Sequence, residues 1–221
     1  MRTRADQIRH LSKDKVLARI VKRIKPLNLK REKDIYLSLL QAIVSQQLSV
    51  KAAATIWERF LLLFDERYPA PHKVLELGTQ TLRNVGLSGQ KAGYIKNIAL
   101  FSVEKTFDYS KLRAMDDETL IVYLTQIKGV GRWTAEMILM FTLKRPDVFP
   151  LDDLGIQNGI SLLYGITTQN KKERLSKMKK IAEAWAPWRT LACMYIWSAW
   201  NEKDLLHKNK KPRSLTKKVR G

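Results

Sequence analysis

Apolar residues recur along this chain at three- and four-residue spacing over most of its length, and strict strand-like alternation is almost absent. Tyr36, Leu39, Leu40, Ile43 and Val44 fall on one helical face. Ala53, Ile56, Trp57, Phe60, Leu61 and Phe64 fall on another, with Ser49 placed before them as an N-cap. The same period predicts helices near Pro71–Leu77, Gln90–Val103, Asp117–Gln126, Thr134–Leu143, Asp153–Tyr164, Asn170–Trp185 and Pro187–Trp200, with prolines at ends, where a missing N–H costs least. Trp57 and Trp185 stand at core spacing. The pattern is that of an all-α protein, and 221 residues with 45% hydrophobic content suffice for a sizeable core in one domain or two closely joined subdomains.

Glycine interrupts the helical pattern at two junctions. Gly129 and Gly131 bracket Val130 between the Leu120–Ile127 and Thr134–Leu143 patterns. A turn of this kind has φ freedom and no side chains, so its backbone and the first amides of the next helix can approach a phosphate. Lys128 and Arg132 flank it with cations; read alone, the motif is equally a tight αα turn. The second junction, Val85-Gly86-Leu87-Ser88-Gly89, precedes Lys91. About one helix beyond the first junction come Asp152 and Asp153, either of which can N-cap the helix carrying Ile156 and Ile160.

Charge narrows the choice of partner. The chain has 41 Lys and Arg against 21 Asp and Glu, a formal net charge of +20. Residues 1–33 carry 12 basic and 3 acidic side chains, and residues 204–221 carry 7 and 1, so most of the excess sits at the two ends. Such runs favour a polyanion through counterion release, or serve only as solubilising segments. The stretch from Asp204 onward reads as a flexible basic tail. A single cysteine, Cys193, excludes an internal disulfide framework and a thiolate set for zinc or iron–sulfur, and His10, His72 and His207 lack metal-ligand spacing. The N-terminus has no signal-peptide core, and no apolar run approaches a membrane span. A cytoplasmic location at the nucleoid, or a nuclear one, is expected.

Five segments in order, IVSQQLSVKAAATI, VGLSGQKAGYI, IKGVGRWTA, FPLDDLGI and WAPWRTLACMYIW, resemble the helix-hairpin-helix (HhH-GPD) DNA glycosylase superfamily, most closely its 3-methyladenine DNA glycosylase II branch. The similarity runs from about Tyr36 to Trp200 and has no counterpart to the N-terminal β domain of some members. It implies a two-lobed helical fold over residues 1–203, with a central lobe of about 36–130, a second lobe from the N-terminal segment plus about 131–203, and the active-site cleft between them.

The resemblance also implies roles. Asp153 becomes the catalytic carboxylate: cleaving an N-glycosidic bond develops oxocarbenium charge on the sugar, which a nearby anion stabilises while it orients or deprotonates water. An alkylated purine already carries positive charge and leaves without a general acid. Trp133, Met137 and Trp197 match base-pocket positions, Met137 replacing a tyrosine of the bacterial prototype. Gln47, flanked by Gln46 and Leu48, matches the wedge that fills the gap left by a flipped base; without the resemblance QQLS is a polar turn. Ser88, Gly89 and Lys91 are expected at the backbone beyond the lesion, and Lys128, Gly129, Val130, Gly131, Arg132 and Thr134 at the hairpin's phosphate contact. Relatives that also cut the backbone carry a Schiff-base lysine where this chain has Trp133, so a monofunctional enzyme is expected. It would act as a monomer on double-stranded DNA containing damaged bases, with no membrane partner, no organic cofactor and no metal beyond a monovalent cation on hairpin carbonyls. The alternatives are a glycosylase for oxidised or deaminated bases and a non-catalytic DNA-binding hairpin protein.

Overall fold

Most helix starts among the described residues follow capping side chains that the sequence supplies, such as Thr3, Asp14, Asp34, Ser49 and Asn170. The computed structural model describes residues 3–26, 34–105 and 107–202, so the basic tail from Asp204 lies outside them. All regular elements among the described residues are helical. The α-helices in chain order are α1 (Arg4–Leu11), α2 (Lys15–Val21), α3 (Ile35–Ser45), α4 (Val50–Leu61), α5 (Pro71–Glu76), α6 (Thr79–Asn84), α7 (Gly89–Lys105), α8 (Tyr109–Ala114), α9 (Asp117–Thr125), α10 (Arg132–Met137), α11 (Leu154–Tyr164), α12 (Lys171–Glu183) and α13 (Arg189–Asn201), with a short 3-10 turn at Asp65–Arg67. Ser49 accepts from the Ala52 amide at 3.3 Å, as its position before α4 predicts. The helix expected through Leu143 is present but widens after α10 into a π turn over Ile138–Thr142, where the Leu143 amide reaches back to the Ile138 carbonyl at 3.0 Å.

Four helices lacked a periodic signal strong enough to predict. The first two, α1 and α2, lie in the basic N-terminal run, which obscures an apolar stripe of only Leu11, Leu17 and Ile20, all at most 3% exposed. The other two, α6 and α8, have six residues each and bury one leucine apiece, Leu82 and Leu112. One to three apolar residues cannot establish a period.

The chain forms two compact units. The unit over Leu29–Pro150 contains α3 to α10, with α7 as its central helix: α3, α5 and α6 pack against it. Leu39, Leu40, Ile43 and Val44 of α3 and Ile95, Ile98 and Ala99 of α7 are all fully buried, each larger side chain contributing on the order of 1.5–3 kcal/mol. The other unit joins Met1–Asn28 to Leu151–Gly221, and within it α13 packs on α2 and α11. Its core includes Leu17, Ile156, Ile160, Met178, Trp185 and Ile196, each 0% exposed. The boundary thus falls at residues 150 and 151, about an α-helix later than the position near 130 that the sequence suggests. The reason is packing: α10 lies against α9 and α3, so the helix after the hairpin belongs to the central unit.

Candidate active site and nucleic-acid grip

In the discontinuous unit, Asp153 follows the turn at Leu151 and Asp152 and caps α11. Its Oδ1 accepts the Ile156 amide at 2.7 Å, so the N-cap reading of the acidic pair falls on the second residue. The same oxygen accepts the indole Nε1–H of Trp197 at 2.8 Å, from α13. Two donors on one oxygen fix the plane of the carboxylate. Gly155 makes room for this pair: a Cβ there would stand 3.0 Å from Trp197 Cδ1 and 3.1 Å from Asp153 Oδ1. Asp153 and Trp197 are each half-buried, whereas Asp152 is exposed.

Sequence reasoning missed the support behind this turn. Gln157, 6% exposed, donates through Nε2 to the Leu151 carbonyl at 2.8 Å and accepts Arg174 Nη2 at 3.4 Å. A side chain reaching back six residues across a cap has no short-range signature, so nothing in the motif pointed to it.

In the central unit the hairpin is anchored from below by Ile127 and Val130, 2% and 4% exposed. Its two glycines differ. Gly129 has φ +105°, and a Cβ there would lie 2.2 Å from the Tyr94 ring, so both conformation and space require glycine. Gly131 has φ −92° and ψ 174°, an extended conformation open to any residue, with nothing within 4 Å of a Cβ. The expectation that both glycines supply φ freedom therefore holds for Gly129 alone; Gly131 can still keep the phosphate side bare. Tyr94 and Asn97 of α7 were not foreseen. Asn97 Nδ2 donates to the Lys128 carbonyl at 3.1 Å.

Several hairpin side chains have other work than the one expected. Arg132 is bound to Glu118 by two bonds (Nη1–Oε2 2.9 Å, Nη2–Oε1 2.5 Å) and to Glu136 through Nε at 3.1 Å. The hydrogen bond to Glu118 holds the guanidinium well above its usual range, and the same pairing lowers the Glu118 carboxyl. The Val130 side chain is core, leaving only its backbone for a ligand. Thr134 is 2% exposed, and its hydroxyl accepts Gln46 Nε2 at 3.4 Å. Lys128 and Gly131 are exposed, while Trp133 and Met137, one helical turn apart on α10, are half-buried.

The loop after α3 carries Gln47 and Leu48 outward, both exposed, with Gln47 in the left-handed region at φ 56°. At the second Gly-rich junction Gly86 has φ +107°, Ser88 Oγ accepts the Lys91 amide at 3.2 Å, and Gly89 opens α7 in open space. Lys91 does not extend freely from this junction. Its Nζ donates to the Val44 and Gln46 carbonyls at 2.8 and 2.7 Å.

Residues 40–187 match the HhH-GPD superfamily base excision DNA repair protein family. The chain belongs to that superfamily. Relatives and solved structures agree with the assignment. DNA-3-methyladenine glycosylase 1 of Schizosaccharomyces pombe is 36% identical over 185 residues, covering 83% of this chain and 80% of that protein. The putative DNA-3-methyladenine glycosylase YfjP of Bacillus subtilis is 35% identical over 169 residues, 74% of this chain and 58% of the relative. The structure of the S. pombe 3-methyladenine DNA glycosylase Mag1 in complex with abasic DNA superposes with a TM-score of 0.80 at 34% identity, over 88% of this chain and 96% of that one. The HhH-GPD fold thus extends over nearly all the described residues, and none of their helices is long and apolar enough to cross a membrane.

Proposed function

We propose that this protein is a DNA glycosylase that hydrolyses the N-glycosidic bond of alkylated bases of the 3-methyladenine type in duplex DNA, the first step of base excision repair. The observation that carries the reading is the Asp153 carboxylate, held on Oδ1 by the Ile156 amide and the Trp197 indole. An anion fixed in place before reaction stabilises a developing oxocarbenium ion without reorganising. It also serves to orient the attacking water. The names of the S. pombe and B. subtilis relatives support the alkylated substrate class.

The division of labour follows. Asp153 is the catalytic residue, and Trp197, which holds it, is assigned to the base pocket. Trp133 and Met137 contact the extruded base, the indole favouring a cationic alkylpurine through a cation–π interaction of about 0.5–2 kcal/mol and the thioether adapting to several shapes. Gln47 with Leu48 fills the vacated stack. The backbone of Gly129–Gly131, with Lys128, takes a phosphate, and Ser88 and Gly89 approach the strand at the second junction. The reading calls on no organic cofactor, and a monovalent cation on the hairpin carbonyls remains compatible with it.

The enzyme is monofunctional in this reading, because Trp133 stands where the lyase relatives have their Schiff-base lysine. Single-turnover excision on duplexes carrying 3-methyladenine, hypoxanthine, 8-oxoguanine or uracil tests the substrate class, with release of the alkylated base expected to be fastest. Borohydride added during turnover should trap no protein–DNA adduct, and strand breaks should require alkali. Efficient trapping would overturn the monofunctional assignment.

A further inference from the structure

The end of α3 leaves four successive carbonyls to be satisfied, and only two find donors nearby. The Ile43 carbonyl accepts the Gln46 amide and the Ser45 carbonyl accepts the Leu48 amide, both at 3.3 Å. Helix ends leave such acceptors without intrahelical partners, and basic side chains in the last turn often take them. The last turn of α3 has no basic residue. The alternate two carbonyls, of Val44 and Gln46, are instead taken by Nζ of Lys91, 47 and 45 residues away on α7.

We propose that Lys91 is a positioning residue that holds the Gln46–Leu48 loop in register with the hairpin, rather than a phosphate contact. Three observations converge on this. Gln47 sits at φ 56°, a conformation that a residue with a Cβ keeps only where its surroundings impose it, and Lys91 grips the residue immediately before. Lys91, Tyr94 and Asn97 follow one another at three-residue steps along α7, so they share a face. From that face Lys91 holds the loop, Tyr94 fills the space under Gly129 and Asn97 holds the Lys128 carbonyl. Finally, Gln46 Nε2 reaches Thr134 in the first turn after the hairpin, closing the link from the other side. Partial burial also lowers the Lys91 ammonium from its usual range, as expected of a cation withdrawn from water. The consequence for base extrusion rests on the wedge role proposed above; the anchoring itself does not.

The test compares Lys91→Met with wild type in three measurements. A phosphate contact would lower the slope of log Kd against log salt by about 0.9 on undamaged duplex. A positioning residue leaves that slope unchanged. It should instead speed amide exchange in peptides covering 46–49 by about 10-fold or more while those covering 128–131 keep their protection, since Tyr94 and Asn97 are untouched. Single-turnover excision at saturating protein should fall by about 10-fold or more. Should the methionine variant fail to fold, Lys91→Gln, which keeps N–H donors, is read in the same way at smaller amplitude. A reduced salt slope with unchanged loop exchange and unchanged saturated rate overturns the proposal, and so does uniformly faster exchange in both loops. If wild type releases no alkylated base, the proposed function fails, yet exchange and salt slope still decide the role of Lys91.

Discussion

Asp14 and Asp153 begin from the same local motif and end in opposite situations. Each N-caps a helix of the discontinuous unit, and each accepts a tryptophan indole N–H. At Asp14 the donors spread over both oxygens: the Val16 and Leu17 amides on Oδ1, Tyr164 Oη and Trp185 Nε1 on Oδ2 at 2.7 and 3.1 Å. At Asp153 the amide and the indole converge on Oδ1. Burial alone would raise the Asp14 carboxyl, but the Trp185 and Tyr164 bonds and the two amides outweigh it and hold it below its usual range. One carboxylate knots α2 to residues 150 and 171 positions away. The other takes a helix amide and an indole on a single oxygen. An Asp at a helix start is therefore not by itself evidence of chemistry.

The sharpest way to break this contrast is to make the same substitution at both positions. Asp153→Asn keeps an N-cap acceptor but removes the charge, so saturated single-turnover excision should fall by about 10³-fold, roughly 4 kcal/mol, with little change in Tm. Asp14→Asn presents an amide to two donors and should cost about 1–3 kcal/mol of stability while excision at a permissive temperature persists. Its pH signature has a definite sign. Because the folded carboxyl lies below the unfolded value of about 3.9, its contribution is present above that pH and is lost as pH falls through the folded pKa. Thermal melts from pH 3 to pH 7 should lose this component in Asp14→Asn; an Asp153→Asn enzyme that still excises would collapse the comparison.

The hairpin gives the second largest expected effect. Gly129→Ala forces a Cβ into the Tyr94 ring and a positive φ onto alanine, and should lower saturated excision by about 10²-fold by displacing the phosphate grip. Gly131→Ala meets no protein atom within 4 Å of its Cβ and should leave stability unchanged, weakening DNA binding only where the methyl obstructs a phosphate. Melting curves and binding isotherms for the pair check this; equal destabilisation by both substitutions would contradict the assigned geometry.

What was legible in the sequence had local causes. The long helices, the Ser49 cap, the glycine junctions and the acidic pair before Ile156 all depend on spacings of a few residues. Motif order was then enough to select the superfamily, and it is also what points to Asp153 rather than Asp152 for the catalytic role proposed above. What stayed hidden depends on distant partners. Lys91 looked like a spare cation because the carbonyls it binds are 45 and 47 residues away, and Arg132 looked available because Glu118 is 14 residues back. The domain boundary was misplaced for the same reason, since periodicity identifies α10 but not the helices it packs on.

Trp197→Phe sharpens the comparison of the two acids at smaller amplitude. It keeps an aromatic ring and deletes one of the two donors on Asp153 Oδ1. Excision should fall by about 10-fold, with substrate Kd less affected than rate, because lost orientation acts in the transition state. The corresponding Trp185→Phe removes a donor from Asp14 and should appear in Tm instead. A Trp197 variant that loses affinity and keeps its saturated rate would reassign the indole to base binding alone.

The smallest expected effect concerns charge at the hairpin and reads the same lesson on the cationic side. Arg132 and Lys128 flank the same turn, yet Arg132 faces Glu118 and Glu136 while Lys128 is exposed. Its proposed phosphate neighbour would release a counterion on meeting Lys128, so Lys128→Gln should reduce the salt slope of binding by about 0.9. Arg132→Gln removes the cation facing Glu118 and Glu136, so it should lower affinity, but mainly by adding repulsion and with a slope change well below that of Lys128→Gln. Doubling the substitution to Arg132→Gln with Glu118→Gln should recover most of the lost affinity. Equal slopes for the two single variants would mean that Arg132 leaves its acidic partners to meet DNA, and that a paired cation in the free protein is no guide to its role when bound.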